Sequence, residues 1–67
     1  METYYSAKER RAQILQLLKS SPKILVSSLS QMFNISEVTI RKDLEELENR
    51  NLLIRVRGGA IDRKSVV

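Results

Sequence analysis

The sequence predicts a small, mostly α-helical domain in which three helices are followed by a β-hairpin. Two observations support this fold class. Apolar residues recur at every third or fourth position in three segments, 6–19, 28–33 and 36–49, which is the period of a helix with one buried face. After residue 51 the apolar residues alternate and run into a pair of glycines, which is typical of two strands joined by a tight turn.

The first helix is expected to begin at Ser6 and to run to about residue 19. Ser6 and Glu9 form a capping-box pattern, because each side chain can accept a hydrogen bond from the backbone N–H of the other residue. Arg10 and Arg11 fall on the polar side of this helix, where they are either solvated or in contact with phosphates. The apolar stripe is expected to contain Ala7, Ile14 and Leu18, widened by Leu15 and Leu17.

A proline ends the first helix, and a short apolar segment follows it. Pro22 disfavours helical geometry in the residue before it. Residues 23–26 are mostly apolar and partly β-branched, so they form either a small strand or an extended connector. Ser27 is then expected to cap a second helix over about 28–33. The expected buried positions of that helix are Leu29, Met32 and Phe33.

A sharp turn is expected between the second and third helices. Asn34 tolerates the left-handed conformation better than other residues with a side chain, and Ile35 can fill the core between the helices. Ser36 is expected to cap the third helix, which spans Ser36–Asn49. Helix, tight turn and helix form a helix-turn-helix, with the third helix in the recognition position.

The third helix has two distinct faces. Its apolar face consists of Ile40, Leu44 and Leu47. Val38 and Lys42 point almost directly away from that face at about 100° per residue. The helix is expected to end near residue 50, with Asn51 in the left-handed conformation that glycine usually adopts there.

The last predicted element is a hairpin over residues 52–62. Gly58 and Gly59 accept positive φ and are expected to form a two-residue loop. This loop places Val56 opposite Ile61, Arg55 opposite Asp62 and Arg57 opposite Ala60. Val56 and Ile61 are then expected to be buried together, while Arg55 pairs with Asp62 across the strands. The inner apolar face holds Leu52, Ile54 and Val56, and the outer face holds Leu53, Arg55 and Arg57.

The length of 67 residues allows one small domain with a limited core. We expect a flexible N-terminus over residues 1–5 and the folded domain over residues 6–62. Residues 63–67 are expected to be a tail, or the start of a linker to a missing effector domain.

Composition argues against several classes of function. The chain has no cysteine and no histidine, so it has no disulfide and lacks the commonest general base and metal ligand. We therefore expect no enzyme, no metal site and no cofactor. Twelve Lys and Arg against eight Asp and Glu give a net charge of +4, which suits nucleic acid or an anionic membrane surface.

The sequence also bears on membranes and on location. No apolar run approaches the roughly 20 residues that span a bilayer, and the N-terminus does not have the pattern of a signal peptide. We expect a cytoplasmic protein without a membrane partner.

A helix-turn-helix followed by a glycine-tipped basic hairpin is the pattern of a winged helix-turn-helix. In its spacing, the sequence also resembles the signature of the DeoR-type helix-turn-helix family. The matching positions are Arg10, Ile14, Leu18, Ser36, the run 39–44 and the wing segment 52–60. Two residues depart from the family pattern. Asn51 replaces the usual glycine at the helix end, and Arg57 replaces a frequent histidine, which leaves a wing cation whose charge does not vary with pH.

This resemblance implies a function and a missing partner domain. Members of the family are bacterial transcription factors, usually repressors of sugar-catabolism operons. Their N-terminal DNA-binding domain is followed by a larger domain that senses a phosphorylated sugar. The chain is therefore expected to bind double-stranded operator DNA and to be monomeric in isolation. The homo-oligomer interface and the sugar-phosphate site are expected in the missing C-terminal domain.

The chemistry of the third helix indicates how it would contact DNA. In its first half, Val38 can touch a thymine methyl group, Glu37 can accept from a cytosine amino group and Lys42 can donate to guanine. Phosphate contacts are expected from Ser36, Thr39, Arg41 and, at the second helix, Ser27. Arg55 and Arg57 on the wing are expected to meet the DNA backbone or the minor groove.

The second half of the third helix is less suited to DNA. Glu45, Glu46 and Glu48 would be repelled by phosphates, so the charge division along the helix orients the docking. Asp43 is expected to pair with a nearby cation of the same chain.

Two other functions fit the same fold. A winged-helix module for protein–protein contact is the main alternative, and binding of double-stranded RNA or of nucleic acid without sequence preference is the second. The protein-contact alternative accounts for the core but gives no reason for adjacent cations, Arg41 and Lys42, opposite the apolar stripe.

Overall fold

The computed structural model describes residues 6–65 and contains three helices and a small antiparallel sheet. The elements in chain order are α1 (Ala7–Ser20), β1 (Lys23–Leu25), α2 (Val26–Phe33), α3 (Glu37–Asn49), β2 (Leu53–Val56), β3 (Gly59–Asp62) and a 3₁₀ turn (Arg63–Ser65). This arrangement confirms the predicted fold class, with a third strand added to the predicted hairpin. The predicted flexible N-terminus, residues 1–5, and the last two residues of the predicted tail lie outside the described residues.

The predicted N-terminal caps of α1 and α3 and the two predicted left-handed asparagines are confirmed. The Ser6 hydroxyl accepts from the Glu9 N–H at 3.2 Å, and the Glu9 carboxylate accepts from the Ser6 N–H at 3.1 Å. Ser36 caps α3 by accepting from the backbone N–H of Thr39. Asn34 and Asn51 have φ values of 56° and 61°, so both adopt the left-handed conformation that Asn tolerates.

The predicted start of α2 is wrong. The helix begins at Val26, one residue before the predicted cap, and Ser27 lies within its first turn. The Val26 N–H donates to the carbonyl oxygen of Gly58 at 2.8 Å. The wing therefore satisfies one of the free N–H groups at the start of the helix, and β1 passes directly into α2 without a serine cap.

The earlier start also changes which residues of α2 are buried. Val26 and Leu29 are buried and Phe33 is half-buried, so the inner stripe follows i, i+3 and i+7 from Val26. Met32 falls beside this stripe and is 57% exposed, so its predicted burial is wrong.

The core lies between the three helices and the sheet. Its buried apolar side chains are Ile14, Leu18, Ile24, Val26, Leu29, Ile40, Leu44, Leu47, Leu53 and Ala60. Leu15, Leu17, Phe33 and Ile35 pack against them at the margin. Ala7 was predicted to belong to the stripe but is exposed, because it lies in the first turn of α1, before the helix reaches the core. No helix within residues 6–65 is long and apolar enough to cross a membrane.

The sheet has the order β1-β3-β2, and the predicted hairpin register is wrong. Val56 pairs with Gly59 and Arg55 with Ala60, so the turn consists of Arg57 and Gly58. Gly58 has a φ of +76°. Gly59 is instead a strand residue, where a Cβ atom would lie 1.9 Å from the backbone oxygen of Ile24. The close approach of β1 therefore requires glycine at this position.

This register exchanges the predicted faces of the hairpin. Leu53 and Ala60 are buried, whereas Val56 and Ile61 are half-exposed and not opposite each other. The face that carries Leu53 and Arg55 is thus directed towards α3. Leu52 lies outside the strand and is 43% exposed.

Candidate nucleic-acid interface

The first half of α3 presents a group of exposed polar and apolar side chains. Val38 is 58% exposed, and Glu37, Arg41 and Lys42 are also exposed, while Thr39 is half-buried. The opposite face of the helix is buried through Ile40, Leu44 and Leu47. The structure thus brings together, on one half of one helix, the predicted site residues Ser36, Glu37, Val38, Thr39, Arg41 and Lys42.

Intramolecular bonds in this half are few and weak. Arg41 Nη2 contacts Glu37 Oε1 at 3.3 Å, and both side chains are more than two-fifths exposed. Such a surface ion pair contributes well under about 1 kcal/mol, so it does not prevent Arg41 from contacting a phosphate. The Ser36 and Thr39 hydroxyl groups lie 3.1 Å apart, which places two hydroxyl groups at the N-terminus of α3.

The second half of α3 is acidic, and two of its three glutamates are paired with arginines. Arg50 Nε donates to Glu46 Oε2 at 2.9 Å. Glu48 accepts from Arg55 twice, from the backbone N–H at 3.0 Å and from Nε at 2.9 Å. The backbone hydrogen bond from Arg55, followed by its side-chain hydrogen bond, lowers the pKa of the Glu48 carboxyl from its usual range.

The pair of Glu48 and Arg55 corrects the prediction for the wing. Arg55 does not pair with Asp62, because the register places Leu53 opposite Asp62. It holds the wing against α3 instead. We call this pair of Glu48 and Arg55 the clamp. Arg57 is exposed in the turn, two residues after Arg55.

A groove separates α3 from the wing. Its volume is about 390 Å³, and its lining includes Arg41, Glu48, Arg55, Arg57 and the backbone of Gly58 and Gly59. Three cations therefore surround one carboxylate that is already bound to Arg55. The groove has a surplus of positive charge beside the exposed face of α3, which favours an anionic ligand such as a phosphate.

The prediction that Arg10 and Arg11 are either solvated or in contact with phosphates is wrong. Arg10 is only 9% exposed; its Nε and Nη2 donate to the two oxygens of Asp43, the second at 3.1 Å. Arg11 Nε donates to Asp43 Oδ1 at 3.1 Å. The hydrogen bond to Asp43 raises the pKa of Arg10 despite its burial. Asp43 is thus the intramolecular partner that was predicted.

The sequence carried a signal for this cluster. Asp43 lies three residues after Ile40 and four before Leu47, so it shares their buried face. A carboxylate at such a position requires cationic partners, because an unpaired buried charge is costly. Local spacing does not identify those partners, since they lie 32 and 33 positions away.

Ser27 is a residue of α2, not of α3. It is exposed in the first turn of α2 and is not the helix cap. A phosphate contact from its hydroxyl group stays a prediction.

Comparison with known proteins identifies close relatives of this sequence. Residues 10–66 match the family model described as the DeoR-like helix-turn-helix domain. The putative aga operon transcriptional repressor of Escherichia coli O157:H7 is 43% identical over 53 residues, which are 79% of this chain and 20% of the relative. The transcriptional regulator GlpR of Haloferax volcanii is 45% identical over 58 residues, which are 87% of this chain and 23% of the relative.

A third relative matches a similar part of the chain. The lactose phosphotransferase system repressor of Staphylococcus aureus is 36% identical over 52 residues, which are 78% of this chain and 21% of the relative. The chain thus spans about a fifth of the length of these three relatives. No solved structure matches it.

Proposed function

The chain belongs to the family of DeoR-like helix-turn-helix domains, the DNA-binding domains of transcriptional regulators, and we propose that it reads duplex DNA with the first half of α3. The observation that carries this proposal is the division of charge along α3. Arg41 and Lys42 are exposed beside Val38 in the first half, whereas Glu45, Glu46 and Glu48 occupy the second half. Phosphates attract the first half and repel the second, so only one end of the helix enters the major groove.

The side chains of that half divide into those that read bases and those that contact phosphates. Val38 contacts a thymine methyl group, Glu37 accepts from a cytosine amino group and Lys42 donates to guanine. Arg41 and the hydroxyl groups of Ser36 and Thr39 contact phosphates and fix the register of the helix. On binding DNA, the weak ion pair between Glu37 and Arg41 breaks. Glu37 then contacts the cytosine amino group, and Arg41 contacts a phosphate.

The wing supplies the second contact with the duplex. Arg57 in the turn reaches the backbone or the minor groove, and Arg55 presents its remaining donors from the edge of the α3–wing groove. A phosphate bound between Arg41 and Arg57 would compensate the surplus positive charge there.

The whole regulator is proposed by analogy with the relatives. Their names refer to repression of the aga operon and of a lactose phosphotransferase system, so we propose a repressor of sugar-metabolism genes. It acts in the cytoplasm and binds paired half-sites as a homo-oligomer. The oligomer interface and a sugar-phosphate site lie outside this chain, and no catalytic activity is assigned to it.

A fluorescence-anisotropy titration against duplex DNA at two salt concentrations tests the proposal. We expect binding that weakens with salt, because each phosphate contact releases counterions. Arg41→Ala should weaken binding to every sequence and reduce the salt slope by about one.

Lys42→Ala should relax the preference at one or two base pairs, at a cost on the order of 1–3 kcal/mol.

Lys19→Ala is the matched control, since it removes an exposed cation at the far end of α1. It should leave duplex binding nearly unchanged. Absence of binding at low salt would contradict the proposal and favour a protein-contact module, and equal competition by double-stranded RNA would favour a general nucleic-acid binder.

A further inference from the structure

A second basic surface runs along the outer side of α1. Two adjoining cavities of about 420 and 220 Å³ share Leu15 and Leu52 in their linings. The larger cavity reaches the C-terminal end of α3, and the smaller reaches the end of β3. We call this surface the α1 groove. Neither the exposed first half of α3 nor the wing turn contributes to its lining, so the α1 groove is distinct from both of them.

The α1 groove has a basic rim. Lys8, Arg11 and Arg50 line the larger cavity, and Lys19 and Lys64 line the smaller one. The one acid in the two linings is Asp62, which already accepts from the Lys64 N–H at 3.0 Å. The Nε of Arg11 donates a hydrogen bond to Asp43, and the Nε of Arg50 donates one to Glu46, both of α3. The three lysines are exposed, so the rim retains a clear excess of positive charge.

The floor of the α1 groove is apolar. Leu52 is 43% exposed, and Leu15 and Ala12 lie beside it at half-buried and exposed positions. An exposed leucine between cations offers little to a phosphate backbone, whose contacts are made with charged and polar groups. It offers more to a polypeptide that carries both apolar and acidic side chains.

We propose that the α1 groove is a docking site for an acidic amphipathic helix of a partner protein. The charge of the rim selects glutamates and aspartates at the edges of that helix, and the leucine floor accepts its apolar face. From Lys8 to Lys19, α1 rises about 16 Å, which matches about three turns of such a helix. Because the groove and the DNA-reading half of α3 are separate surfaces, the chain can hold DNA and partner at the same time.

A titration with a fluorescent peptide tests this proposal. The probe is a designed helix of about three turns, with leucines at i, i+3, i+4 and i+7 and glutamates on both sides of them. We expect it to bind the full chain and to bind about tenfold more tightly than a peptide of the same composition in scrambled order, because only the designed order aligns its leucines with the floor. Leu52→Asp should weaken binding about tenfold, since it places a charge on the floor and repels the glutamates.

Two further variants separate docking from loss of fold. Lys8→Glu combined with Lys19→Glu changes only exposed rim positions and should weaken peptide binding to a similar extent. Lys42→Ala, on the other surface, should leave it unchanged. Equal affinity for the designed and scrambled peptides would overturn the proposal, because it would indicate charge attraction alone. Displacement of the peptide by duplex DNA would overturn it as well, since it would make the α1 groove part of the nucleic-acid interface.

Discussion

Asp43 is the residue that connects the core of this domain to its proposed DNA-reading surface. It is 1% exposed and accepts from Arg10 and Arg11 of α1, while Lys42 next to it points outward. The rotation of α3 is therefore fixed by an ion cluster immediately behind the side chains that would read DNA. Within the described residues, every buried side-chain polar atom has a hydrogen-bond partner, including the buried atoms of this cluster.

Asp43→Asn should destabilise the domain strongly. It leaves Arg10 buried without a counter-charge, and breaking a buried ion pair from one side typically costs on the order of 3–5 kcal/mol. Urea unfolding followed by circular dichroism measures the loss. Glu37→Gln is the matched control, because it breaks an exposed pair and should cost less than about 1 kcal/mol. A loss of similar size in both variants would mean that the cluster does not fix α3.

At the scale of elements, α3 and the wing are held together by the bonds between Glu48 and Arg55. These bonds lower the pKa of Glu48. A carboxyl group whose pKa is lower in the folded chain than in the unfolded chain stabilises the fold at pH values above its unfolded pKa. That contribution disappears as the pH falls through the folded value.

The clamp therefore predicts a pH-dependent difference between the wild type and Glu48→Gln. The wild type should be the more stable protein near neutral pH. Its advantage should shrink as the pH falls below the usual pKa of a glutamate and disappear once the pH falls through the lowered pKa of Glu48. Urea unfolding at a series of pH values gives the measurement. Glu45→Gln removes the same charge from the same helix without touching the clamp and serves as the control. An advantage that is the same at pH 3 and pH 7 would contradict the assignment.

These elements also show what the sequence can predict. The capping box at Ser6, the cap at Ser36 and the left-handed asparagines depend on residues within a few positions of each other, and all were predictable. The hairpin register was not, because it depends on β1, which packs its backbone against Gly59 from 35 positions earlier in the chain. The partners of Asp43 were missed for the same reason, since their contact is made only by the folded chain.

At the scale of the whole molecule, charge divides the surface into regions with different proposed partners. Cations of the first half of α3 and of the wing face the proposed DNA side, and a second basic region follows α1. The acids of the second half of α3 lie between them, bound in part to Arg50 and Arg55. The net charge of +4 is therefore distributed unevenly over the surface.

A map of amide chemical-shift changes, recorded while duplex DNA is added to the ¹⁵N-labelled chain, would locate the DNA-reading surface. We expect the largest changes at residues 36–42 and in the wing turn at Arg57 and Gly58, with small changes along α1 and at residues 45–50. Largest changes along α1 or in the acidic half of α3, with residues 36–42 unaffected, would contradict the proposal.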